Sequence, residues 1–120
     1  VLPGFNNNGG AAITANGNFC AIGRTGPVAG GQSAGETHVP MMDLATYYVT
    51  GGTATGTVTF QAMFADGTYR NLASPAALTL SANPQNGVIN GPYHGFRLVV
   101  SSLAVSTISY AELAGSYRQQ

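Results

Sequence analysis

Few side chains in this sequence could carry acid–base or metal chemistry. They are the carboxylates Glu36, Asp43, Asp66 and Glu112, the imidazoles His38 and His94, and a single thiol, Cys20. Glycoside hydrolysis needs two carboxylates flanking one bond, and Asp43 with Glu112 is the pair that could supply them. Both fall in segments with strand character beside polar outward residues, which favours solvated or arginine-paired side chains. Asp66 precedes Gly67 and reads as a turn residue. A zinc site draws three or four ligands from close clusters, and the spacing of His38, His94 and Cys20 makes no such cluster. Lysine does not occur, which removes Schiff-base chemistry and the phosphate-binding lysine. The expectation is a non-enzymatic protein with no metal and no cofactor.

The charges point the same way. Only 7% of the 120 residues are charged, against roughly 25% in an ordinary soluble domain. Arg24, Arg70, Arg97 and Arg118 balance the four carboxylates, for a formal net charge of zero. No long-range field would draw the chain to nucleic acid or an anionic membrane. Tyr93, Phe96 and Arg97 could be arranged as a stacking platform for bases, but four arginines form no basic stripe and Phe96 has inward parity. Tyr47, Tyr48, Tyr69 and Tyr93 could line a sugar-binding face; tyrosines at the rim of a sandwich, with wet hydroxyls, are the alternative. A chain with so little charge is poorly protected against self-association, which favours a surface covered by partner subunits. Cys20 has no second cysteine to pair with in the chain and sits among Phe19, Ala21 and Ile22, the setting of a buried small hydrophobe. No stretch approaches the ~20 apolar residues of a membrane helix, and VLPGFNNNGG lacks the pattern of a signal peptide.

The elements that must position these residues read as strands. Thr57 to Phe64 alternates, with Val58, Phe60, Ala62 and Phe64 on one side and Thr57, Thr59, Gln61 and Met63 on the other. Asp66-Gly67 predicts a two-residue type I′ turn, and Thr68 to Leu72 the returning arm of a β-hairpin. Further strands are predicted at 43–50, 76–82, 88–89, 93–101 and 105–113, separated by loops at 83–87 and 90–92. Phe60, Phe64, Phe96, Leu98 and Val100 share parity and form the predicted core. Residues 1–37 differ in texture, holding nine of the 17 glycines, and glycine disfavours helix by about 1 kcal/mol per position. They read as an extended Gly/Asn-rich arm with short strands at 11–15 and 19–23. Leu2, Phe5, Ile13 and Phe19 are the apolar anchors expected to reach other subunits. The alternative is that the short strands join the same domain's sheet. Residues 38–120 are the predicted domain, an all-β sandwich or jelly roll.

Two segments, TVTFQAMFADGTYRNL and GPYHGFRLVVS, carry a likeness to known proteins. A strand, an Asp-Gly turn and an aromatic, followed by a late aromatic-Arg-Leu-Val run, resembles the small β-sandwich modules of tailed-bacteriophage virions. These modules include capsid decoration (cement) proteins and tail-associated proteins. The likeness spans about Tyr47 to Tyr110. It implies a structural protein located in the virion, acting as a homo-oligomer against major capsid or tail proteins. The same layout is similar to galactose-binding jelly rolls, which implies as the alternative a carbohydrate-binding or adhesive module. Those jelly rolls usually carry a tryptophan after the turn, where this chain has Tyr69.

Overall fold

The computed structural model describes residues 4–23 and 41–117. Through them run nine strands: β1 Phe5–Asn6, β2 Gly17–Gly23, β3 Met42–Thr50, β4 Thr55–Met63, β5 Tyr69–Asn71, β6 Leu78–Thr79, β7 Gln85–Tyr93, β8 Gly95–Ala104 and β9 Tyr110–Tyr117. They make two antiparallel sheets that pack as an all-β sandwich. The first has the order β1-β9-β3-β7, and the second β2-β8-β4-β5 with β6 also on β4.

The alternation on β4 has the expected sense. Val58, Phe60 and Ala62 are buried, and the register sets them against Val100, Leu98 and Phe96 of β8. The first sheet covers this face with Met42, Ala45, Tyr47, Val49, Ile89, Ala111 and Leu113. The rings of Tyr47 and Phe60 meet between the sheets, 4.4 Å apart at their centroids. Fully burying side chains of this size contributes about 1.5–3 kcal/mol each, so the shared parity of β4 and β8 decides the register.

Alternation fails at the end of β4. Phe64, expected in the core, is half-buried at its margin, and Met63, expected outward, is buried. The strand stops at Met63, where Gly95 on one side has no side chain and Tyr69 lies directly opposite on the other. The hairpin also differs from the expected two-residue turn. The Phe64 N–H donates to the Thr68 carbonyl and the Gly67 N–H to the Phe64 carbonyl, so residues 65–67 form a three-residue connection. Gly67 alone takes the left-handed conformation (φ 84°), the geometry of a type I turn closed by a glycine bulge. Asp66 instead fixes the turn with its side chain, accepting from the Thr68 amide at 3.1 Å and the Thr68 hydroxyl at 2.7 Å.

The expected brief strand at 88–89 is a nine-residue strand, because β7 pairs with β3 from Gln85 to Tyr93. Ladder pairing there overrides the turn propensity of its Asn and Gly residues. The last strand starts five residues late, at Tyr110. Val105 is exposed at a left-handed φ of 73° and interrupts the extended backbone.

Residues 4–23 are part of the sandwich, as in the alternative in which the short strands join the same domain's sheet; the strand expected at 19–23 is β2. β1 pairs with β9, and β2 with β8. Ile13 bridges Ile108 and is buried in the chain's own core. Phe19 packs against that core, and Phe5 sits across from Ala114. Leu2 and the proposed boundary at 37/38 lie outside the described residues. The segment is ordered because its polar side chains hold backbone groups. Asn6 Oδ1 accepts from the Asn8 amide at 2.8 Å, and Asn16 Oδ1 accepts from the Leu103 amide at 2.8 Å. Such bonds offset the backbone entropy of ordering, about 1–2 kcal/mol per residue.

Candidate functional site

The two candidate carboxylates are not brought together. Tyr48 is the β3 residue opposite Glu112, and Asp43 lies five positions further along β3. That separation is roughly 16 Å at ~3.3 Å per residue, beyond the ~5–9.5 Å at which paired carboxylates cleave a glycosidic bond. Glu112 Oε1 instead accepts from the Tyr110 hydroxyl at 2.9 Å. No group of three or more His, Cys, Asp or Glu residues that could hold a metal occurs among the described residues. His94 is buried in the bend between β7 and β8, and His38 lies outside the described residues. Cys20 is buried, its thiol donating to the Ala111 carbonyl at 3.6 Å. Burial first, and the Glu112 charge second, push its pKa up to about 11. It is an inert structural thiol.

Gly31-Gln32-Ser33-Ala34-Gly35 has the letters of the G-x-S-x-G nucleophile elbow. An elbow is a strand-to-helix turn on an α/β sheet, whereas both sheets here are antiparallel. The motif itself lies outside the described residues.

The aromatic candidates are dispersed. Tyr47 is in the core, Tyr48 on the outward face of the first sheet, and Tyr69 on the second sheet. Tyr93 packs between Phe64 (5.3 Å) and Phe96 (5.9 Å). They do not form one sugar-binding face. Phe96 is buried, and Arg97 projects from the opposite side of β8 over the Tyr69 ring at 4.0 Å. No base-stacking platform results, and the guanidinium covers a face of Tyr69 that a sugar would need. Arg97 Nε donates to Gln61 Oε1 at 2.7 Å, and Gln61 Nε2 donates to Asn71 Oδ1 at 2.8 Å. This polar row across β8, β4 and β5 is satisfied largely within itself.

The outward face of the first sheet is different. Phe5 sits opposite Ala114, Ala114 opposite Thr46, and Thr46 opposite Val88. The row therefore crosses all four strands, roughly 14 Å at ~4.8 Å between strands. Leu44 and Tyr48 flank it on β3, two residues to either side of Thr46. Phe5, Leu44, Tyr48 and Val88 are 37–46% exposed. The charged residues of these four strands are Asp43 and Glu112. Tyr110, whose ring is edge-on to Tyr48 at 6.3 Å, marks one end of this surface with Asn7 and Glu112. Contiguous exposed apolar residues can mark a surface that another protein covers; Glu112, opposite Tyr48, and Ser116, opposite Leu44, share this face. The sequence did contain a signal for it. In DLATYYVT both parities carry bulky apolar residues, as on a strand covered from two sides.

Among the described residues, no helix is long and apolar enough to cross a membrane. The chain matches no protein-family model, no curated protein and no solved structure.

Proposed function

We propose that the chain is a non-catalytic structural protein of a tailed-bacteriophage virion, a capsid-decoration or tail-associated component that works as an oligomer against other virion proteins. The observation that carries this reading is the row Phe5–Ala114–Thr46–Val88, with Leu44 and Tyr48, an uncharged row on a sheet face whose strands carry only Asp43 and Glu112 as charges. Such a face suits burial against another protein, because the residues of the row itself carry no charge to desolvate, and Glu112 beside it is hydrogen-bonded by the Tyr110 hydroxyl. The charge-poor composition and the separation of Asp43 from Glu112 support the same reading. Its placement in the virion rests on the pattern of the hairpin and the late aromatic-Arg-Leu-Val strand.

An antibody against the purified chain should decorate virus particles released by the cells that make it, and mass spectrometry of those particles should recover its peptides. Particles free of the chain refute the virion assignment. Ser33 should stay unlabelled by a fluorophosphonate probe; labelling that is lost on Ser33→Ala would replace this reading with a hydrolase.

A further inference from the structure

We propose that two copies of the chain pair antiparallel through the open edge of β7, about a two-fold axis at Val88, joining two four-stranded sheets into one continuous sheet. β7 is the last strand in the order β1-β9-β3-β7, so among the described residues one of its edges has no neighbour. An open edge is a template for another strand, and proteins that must stay apart blunt it with lysine, inward charges, bulges or short length. β7 is nine residues long and carries no charged residue; its register with β3 shifts between Asn90 and Tyr93, and this bulge and its proline, Pro92, are confined to the end of the strand away from Gln85.

A second copy is the occupant to which the sequence of this edge points. Pairing about a two-fold axis sets residue i of one copy against residue j of the other and j against i. Around Val88 the strand reads Asn86-Gly87-Val88-Ile89-Asn90, which is symmetric in character about its centre. Val88 meets Val88, and Asn86 meets Asn90 on the same outward face, where facing side-chain amides can exchange hydrogen bonds. On the inward face the buried Ile89 meets Gly87, which has no side chain to collide with it. A charged residue near the axis would face its own like charge, and this strand has none. Val88 is also the end of the outward apolar row. Pairing at Val88 therefore runs that row onward through the second copy and doubles the face available to a shell or tail protein.

This inference deepens the assembly reading and rests on it, and its test is separate. Sedimentation of the full chain over a wide concentration range should show a monomer–dimer equilibrium. Val88→Lys, which brings two ammonium groups together at the axis, should weaken dimerisation at least tenfold while leaving the melting temperature nearly unchanged at concentrations where both proteins are monomeric. Val88→Cys should form a disulfide-linked dimer when diamide oxidises the two thiols, because directly opposed residues have Cα atoms ~4.5–5.5 Å apart, within disulfide reach. Val105→Cys, the more exposed position at 79%, should not cross-link at the same concentration. The proposal is overturned by a wild-type chain that stays monomeric. It is equally overturned by a dimer indifferent to Val88→Lys whose Val88→Cys form cross-links no faster than Val105→Cys. A dimer of that second kind would leave the assembly reading standing through the sheet face alone. Virions lacking the chain would remove the assembly reading while the Val88 pairing remained measurable.

Discussion

Replacing Phe60 by alanine tests the packing of the two sheets most directly. Phe60 is completely buried on β4, and its ring meets Tyr47 of β3 across the interface at 4.4 Å. Removing a buried phenyl ring costs about 3–5 kcal/mol through lost transfer energy and the cavity left behind. The aromatic contact contributes about 0.5–1.5 kcal/mol beyond burial, which places Phe60→Ala in the upper half of that range. Small domains have about 5–15 kcal/mol in all, so the variant should stay folded with much of its stability gone. In urea, with a slope of about 2 kcal/mol per molar, the midpoint should fall by roughly 2 M. The chain has no tryptophan, so far-UV circular dichroism and tyrosine fluorescence are the probes, and their transitions should coincide. The outward neighbour Thr59→Ala should change stability by no more than about 0.5 kcal/mol. Equal effects at 59 and 60 would mean that β4 does not present Phe60 to the other sheet, and the assigned register would be wrong.

Three other outcomes follow from particular side chains. Cys20 should resist thiol reagents at mildly alkaline pH and react fully in denaturant; because its folded pKa is raised, its contribution to stability is intact below about 9 and is lost as pH rises toward about 11. The Asp66 carboxyl is held below its usual range first by the hydrogen bonds from Thr68, with Arg70 adding to the effect. Since that folded pKa is depressed, its support of the hairpin is present above the unfolded value of about 3.9 and is lost on further acidification. An NMR titration following the Thr68 amide should therefore show a midpoint below ~3.9, and a midpoint above it would contradict the turn geometry. Gly23→Ala should destabilise the domain by at least about 2 kcal/mol, measured by the same urea titration. Gly23 has a φ of +92°, and an added Cβ would lie 2.6 Å from the His94 carbonyl oxygen and 2.7 Å from Gly95 Cα.

The sequence by itself determined the all-β class, the inward parity of β4 and β8, and the tie between Phe60, Phe96, Leu98 and Val100. Those readings depend on a period of two, which is local to each strand and survives whatever the strand packs against. The same local period made loops of residues 83–87 and 90–92 and an arm with short strands of the N-terminal segment, and there it fell short of the full pairing. Gln85 to Tyr93 became a full strand because β3 supplied its hydrogen-bond partners. Residues 4–23 became part of the sandwich because β8, β9 and Ile108 did the same for them. Glycine and asparagine are weak strand formers by propensity, and backbone pairing with a distant segment outweighs that propensity once both are aligned. The turn at Asp66-Gly67 was visible, but its length was set by where the ladder of β4 and β5 ends. The apolar row of the first sheet was hidden for a related reason. Phe5, Ala114, Thr46 and Val88 are far apart in the chain and become one surface only through the order β1-β9-β3-β7, which strand pairing decides and no single strand encodes.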